Sequence, residues 1–254
     1  MTSSTKSFSE KEMEFPNALP YQAENMGGGR AGLNYETGGK RSVSSTAERM
    51  IPVLSREQLQ LRNAVLLAHE LQGVRPVLVT GVAEGVGTTA VAATLALGLC
   101  LDQKKQVALV EANVKHPRLH QIFRMHASDG LTSAAGPGMD MSEVNGLPNL
   151  QVIRSNAPTQ GGVFDTKRFM SVMPALLDAF DFLIVDAPPI HLNPEMLLLS
   201  LHLSGVIVVA EAGRTHAQEV RKVVSDLQRA KAKLLGVVLN RQREKVPGLI
   251  KKWL

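Results

Sequence analysis

The stretch Val77-Leu-Val-Thr-Gly-Val-Ala-Glu-Gly-Val-Gly-Thr-Thr-Ala90 constrains the fold of this chain more than any other. An apolar run breaks into a glycine-rich turn and then into an alanine-rich helical pattern, which predicts strand, phosphate loop, helix. Such a turn sets consecutive backbone N–H groups at the positive end of a helix, where they surround a phosphate, and its glycines let the backbone come close. The expected fold is therefore α/β, a mostly parallel sheet flanked by helices.

Two templates fit the loop. In the Walker form the closing Gly-Lys-Ser/Thr is here Gly87-Thr88-Thr89, with the glycine and the hydroxyl in place and a threonine where the lysine belongs. That lysine reaches the β and γ phosphates, and the next hydroxyl binds Mg²⁺. In the dinucleotide form, Gly85-Val-Gly87-Thr-Thr-Ala90 matches G-x-G-x-x-A, and Glu111 ends the next strand where a ribose-binding acid belongs. The loop alone favours the second template slightly.

With 254 residues, 44% of them apolar, the chain buries one sizeable core and is too short for two large domains. Residues 1–50 are rich in Ser, Thr, Gly, Glu and Asn without helical or strand periodicity, so a disordered polar tail is expected ahead of a domain at 51–254. Both tyrosines, Tyr21 and Tyr35, lie in that tail. The single cysteine, Cys100, falls inside the apolar helix, which removes any disulfide framework and points to a cytosolic compartment. The most apolar stretch, Leu197 to Ala210, is interrupted by Ser200, His202, Ser204 and Gly205, so no membrane span is expected.

Ser55-Arg-Glu-Gln58 is a capping box that opens a helix with Leu61, Val65, Ala68 and Leu71 at helical spacing. A strand follows at Pro76 to Thr80, then the helix from Thr88 to about Leu101, then a buried strand at Gln106 to Glu111. Pro117 suits the first turn of a short helix, and a glycine-rich loop is expected around Gly130 to Gly138. His116 and His120 stand four apart, but no glutamate lies between them and no metal is assigned to the pair. A strand at Leu150 to Arg154 and a helix from Thr166 to Phe180 lead to Phe182-Leu-Ile-Val-Asp186-Ala-Pro-Pro189. An apolar strand ending in a lone aspartate either caps its own turn or sets a carboxylate beside a phosphate loop to hold Mg²⁺ through a water, and the loop upstream favours the second. Then come a strand at Val206 to Ala210, a second capping box at Thr215-His-Ala-Gln218 with a helix behind it, and a strand at Leu234 to Asn240.

From Arg214 to Leu254 eleven Lys/Arg stand against three Asp/Glu, so the basic character is C-terminal. The end, Arg241 to Leu254, mixes cations with apolar residues and the only tryptophan, Trp253. Contact with an anionic membrane surface and a solvated last turn folded back on the domain are both open. No nucleic-acid partner is expected.

In this order the motifs resemble the cytoplasmic kinase domain of the bacterial tyrosine kinases of exopolysaccharide synthesis, relatives of the MinD and ParA ATPases. Gly85 to Thr89 stands where that family has its Walker loop; Val107 to His120 resembles its second Walker motif, ending in Pro-Arg-Leu-His; Asp129-Gly-Leu131 resembles its Pro-Gly-Leu turn; Phe180 to Pro189 its third Walker motif; and Gly236-Val-Val-Leu-Asn240 its base-binding strand. A dehydrogenase accounts for none of these later segments and needs a Tyr-x-x-x-Lys that a chain without tyrosine after residue 35 does not supply.

The departures from the family pattern concern charge. Thr88 replaces the Walker lysine, Glu84 is not the further lysine of the MinD and ParA loop either, and Glu111 and Asn113 replace the two aspartates of the second motif. No tyrosine follows Tyr35, so the family's tyrosine-rich C-terminal tail is not expected here, and Glu57 and Arg62 match the Glu-x-x-Arg-x-x-Arg oligomerisation helix in part. The resemblance thus implies a degenerate P-loop protein, a regulatory partner of a membrane polysaccharide co-polymerase, peripheral at the inner face of the plasma membrane and able to form a homo-oligomer. Its ligand would be ATP or ADP with Mg²⁺: amides of Gly85, Val86, Gly87, Thr88 and Thr89 on the phosphates, Thr89 and Asp186 on Mg²⁺, Glu111 orienting water, Asn240 facing the base. An active autokinase or ATPase with a substitute cation, such as Lys115, is the alternative.

Overall fold

The computed structural model describes residues 54–101, 105–125, 139–155 and 164–242. The expected tail at 1–50, the loop at 130–138, Asp129-Gly-Leu131 and nearly all of the basic end lie outside the described residues.

Helix α1 (Arg56–Gln72) begins at the expected capping box, with Gln58 N donating to Ser55 Oγ at 3.3 Å and Ser55 N to Gln58 Oε1 at 2.8 Å. It ends at Gly73, whose φ of 65° sets the left-handed stop. The chain then enters β1 (Pro76–Gly81), followed by α2 (Thr88–Cys100), β2 (Val107–Glu111), the short α3 (Leu119–Ile122), β3 (Met139–Val144), β4 (Leu147–Ser155), α4 (Thr166–Ala179) and β5 (Phe182–Asp186). A 3-10 turn (Ile190–Leu192), α5 (Pro194–Ser200), β6 (Gly205–Glu211), α6 (Ala217–Arg229) and β7 (Leu234–Asn240) follow among the described residues.

Among the described residues, seven strands form one sheet in the order β3-β4-β2-β5-β1-β6-β7. All pairings are parallel except β3 with β4. Strands β1, β2 and β5 are buried throughout, as unbroken apolar runs covered on both faces must be. After β1 the chain moves across β5's place to β2 and the far edge, returns as β5, and then crosses to β6 on the other side of β1. The C-terminal end of β1 is therefore a switch point, the crevice where open α/β sheets bind ligands.

Helix α2 is buried against this sheet, and burial pushes the Cys100 thiol up to about 11, so it serves as a small hydrophobe. Where α1 crosses α2, a Cβ on Gly98 would meet Leu54 at 3.3 Å and Arg62 Cβ at 3.4 Å. Arg62, half of the partial oligomerisation match, thus lays its stem on α2 within the chain.

Some boundaries differ from expectation. The strand expected at 150–154 is the longer β4, and it forms a hairpin with β3, which was not foreseen; Gly146, at φ 82°, sits in the two-residue turn. Helix α5, with Pro194 in its first turn, occupies the front of the long apolar stretch. The second capping box lies one residue later than read: His216 N donates to Glu219 Oε2 at 2.9 Å, because Thr215 Oγ1 already accepts from Glu211 N at 2.8 Å. Pro117 precedes α3, whose N-cap is Arg118. No helix of the described residues is long and apolar enough to cross a membrane.

Candidate functional site

The site is built where β1 gives way to α2. Gly81 is packed too closely for a side chain, since a Cβ there would come within 2.6 Å of Thr88 Oγ1 and 2.8 Å of the Ala83 carbonyl. Thr88 therefore turns its hydroxyl into the base of the loop. Gly85 and Gly87 have φ of 78° and 91°, left-handed values that L side chains rarely adopt, and Gly87 is the N-cap of α2. The first N–H groups of that helix lack intrahelical partners and carry its positive dipole end. Residues 85–89 are thus a loop and helix start of the phosphate-binding type.

Asp186 ends β5 between Val79 of β1 and Glu111 of β2 in parallel register. It is 1% exposed, and its Oδ1 has no hydrogen-bond partner among the described residues. Burial pushes its pKa up to about 7; a hydrogen bond from Thr89 pulls it down, and the charge of Glu111 pushes it up further. Thr89 and Asp186, paired by the sequence reading, are in contact. A buried carboxylate oxygen with no partner beside a helix N-terminal hydroxyl is a donor set of the kind Mg²⁺ takes, and a cation there would remove the penalty that raises the pKa.

Glu111 lies beside Asp186 but is already occupied. Its Oε1 accepts from Arg118 N at 2.7 Å and Leu119 N at 2.8 Å, so the carboxylate caps α3, which accounts for that helix starting after Pro117. Thr80 Oγ1 donates to the Pro188 carbonyl at 2.8 Å and Ala187 N to the Val79 carbonyl at 2.9 Å, fixing the turn behind Asp186 to β1.

Asn240, expected to face the base, reaches the loop itself. Its Nδ2 donates to the Val86 carbonyl at 2.9 Å, and its Oδ1 accepts from Arg241 N at 2.9 Å. Gly87 leaves the space for that amide, because a Cβ there would overlap Asn240 Nδ2. Lys115, named as a substitute cation, is exposed in the turn after β2.

Sequence reasoning missed Glu211 and Arg241. Arg241 Nη1 pairs with Glu211 Oε1 at 3.1 Å, at the strand ends flanking the loop. The signal available was positional: these residues end or follow the two strands on the far side of β1.

The profile of the ParA family, described as NUBPL iron-transfer P-loop NTPase, matches residues 74–248. The tyrosine-protein kinase CpsD of Streptococcus agalactiae is 26% identical over 174 residues, covering 66% of this chain and 76% of that protein. The tyrosine-protein kinase YwqD of Bacillus subtilis is 27% identical over 193 residues, covering 74% and 81%. Among solved structures, the chimerical protein CapA2B2 superposes with a TM-score of 0.62 at 25% identity, covering 74% of this chain and 84% of that one. The kinase domain of Escherichia coli tyrosine kinase ETK, at 19% identity and a TM-score of 0.60 over 73% and 76%, shares the fold. With the loop, the switch-point sheet and a profile match over more than half of its length, this chain belongs to the ParA family of P-loop NTPases.

Proposed function

We propose that the protein is a nucleotide-binding regulator of the bacterial tyrosine-kinase type with altered catalytic charges, acting as the cytoplasmic partner of a membrane polysaccharide co-polymerase in exopolysaccharide synthesis. One observation carries this: the phosphate loop is built, but the side chain at its lysine position is Thr88, folded against Gly81. Phosphoryl transfer depends on positioning and on stabilising negative charge, so a loop without its cation binds phosphate less tightly and turns over poorly. Mg²⁺ in the site would neutralise phosphate charge; Asp186 and Thr89 would hold it and the amides of residues 85–89 would orient the phosphates. Peripheral attachment at the inner membrane face through the basic end, and a homo-oligomer, belong to the same proposal.

The relatives' names, tyrosine-protein kinases, favour a second reading, an active autokinase or ATPase with a cation supplied from elsewhere. The iron-transfer activity in the family description is not carried over: clusters are held by several thiolates, and Cys100 is the single cysteine and is buried.

The test is calorimetric titration of the full chain with Mg-ATP, beside Thr88→Lys and Asp186→Ala, with hydrolysis and autophosphorylation followed in the same samples. Binding that Asp186→Ala weakens and Thr88→Lys strengthens about tenfold, without turnover, is expected, since one charge-assisted bond contributes ~1.5–3 kcal/mol. Turnover abolished in Asp186→Ala would establish the enzyme instead. No binding by either the native chain or Thr88→Lys at millimolar ATP would exclude a nucleotide site.

A further inference from the structure

Arg241 is the described arginine set against the loop. Its Nε lies 4.0 Å from the point that a Cβ on Gly87 would occupy. Its φ of 59° is left-handed, a conformation that a non-glycine residue holds only when its surroundings require it. Two contacts impose it. Arg241 N donates to Asn240 Oδ1 at 2.9 Å, and the guanidinium pairs with Glu211 Oε1 at 3.1 Å.

Glu211 is shared. Its other oxygen, Oε2, takes no hydrogen bond among the described residues and has Arg214 Nη1 at 3.5 Å. The Glu211 side chain is 14% exposed, whereas those of Arg241 and Arg214 are 53% and 74% exposed. One half-buried carboxylate thus faces two solvated guanidinium groups. Arg241 can leave without stranding a buried charge, because Arg214 remains to neutralise Glu211.

We propose that Arg241 supplies the cation absent from position 88: it swings from Glu211 onto the phosphates of a nucleoside di- or triphosphate held at residues 85–89, and Glu211 is its resting counter-ion. This rests on nucleotide being the ligand of the loop. Planar guanidinium suits the role, since it pairs with phosphate oxygens as readily as with carboxylate. The consequence is a built-in competition, in which Glu211 lowers nucleotide affinity and Arg241 raises it.

Calorimetry on the full chain with Mg-ADP, Mg-ATP and, as a probe without phosphate, adenosine separates the possibilities, with circular dichroism and melting curves confirming that each variant is folded. Arg241→Gln is expected to weaken both nucleotides about tenfold, the equivalent of one charge-assisted bond. Glu211→Gln is expected to tighten them several-fold, the double variant to match Arg241→Gln, and Arg241→Lys to fall between Arg241→Gln and the native chain. Adenosine binding should be the same in all.

Native-like Mg-ADP affinity in Arg241→Gln, or weaker binding in Glu211→Gln, would overturn the inference while leaving the nucleotide site intact. Equal losses of melting temperature in both single variants with unchanged affinity would mean that the pair is a strap between strand ends, which also overturns it. Absence of nucleotide binding by both the native chain and Thr88→Lys would remove the site itself, and the inference with it.

Discussion

At the scale of single residues, the informative side chain is Asp186. A carboxylate 1% exposed, with one oxygen unpartnered, is held at a pKa of about 7 against an ordinary 3.8. Between those values the folded chain binds more protons than the unfolded chain, so stability falls as pH rises through the window, and the penalty is complete above pH 7. Asp186→Asn keeps the volume and an acceptor for Thr89 while removing the charge. The variant should match the native chain near pH 4 and be more stable at pH 8, by a margin of order a few kcal/mol, in urea unfolding at both values. Greater instability of Asp186→Asn at pH 8 would mean that the native carboxylate is ionised and well paired. Asp186 was legible in the sequence because an apolar strand ending in one acid behind a phosphate loop has few other uses. Its missing partner was not, since that depends on the three-strand register that sets it beside Glu111 and Val79.

Among the elements, those with strong periodicity stand where the sequence put them, and the misses have local causes. Strand β3 pairs antiparallel across Asn145-Gly146, a dipeptide that marks a tight hairpin; the glycine-rich run before it drew attention to a loop instead. Helix α5 was hidden in a continuous apolar stretch, where period alone does not separate helix from buried strand, although Pro194 was a start signal. Helix α3 shows an element set by tertiary contact. Four residues do not make a stable helix by propensity, and its start is fixed by Glu111 Oε1 accepting from Arg118 N and Leu119 N. Glu111→Ala strands those donors at a site where Leu119 is fully buried, and should cost about 1–3 kcal/mol in urea unfolding. Glu111→Gln retains an acceptor oxygen and should cost less than half as much. Equal losses in the two variants would show that the charge matters rather than the cap; no loss in either would show that α3 starts without it.

For the whole molecule, the site is assembled from the C-terminal ends of β1, β2, β5 and β7, which the chain reaches through separate crossovers. The Asn240 to Val86 bond alone joins residues 154 apart. Such a site was legible as an ordered set of motifs, because a switch-point sheet brings strand ends together whatever the intervening segments do. That Asn240 closes onto the loop backbone, and that Glu211 and Arg241 meet beside it, depends on the register of β6 with β7, to which motif order is blind. This architecture makes ligand binding a property of the entire sheet. A nucleotide bound to the folded chain alone, at a hundred times its dissociation constant, adds about 2.7 kcal/mol, roughly 5–10 °C in melting temperature for a domain of this size. Since the described strands share one core, Mg-ADP should raise the melting temperature by that amount and slow amide exchange in β1, β5 and β7 together. Asp186→Ala should shrink both effects in proportion to its loss of affinity. Protection gained at residues 85–89 with no gain in β7 would mean that the loop binds phosphate without drawing Asn240 and its strand into the site.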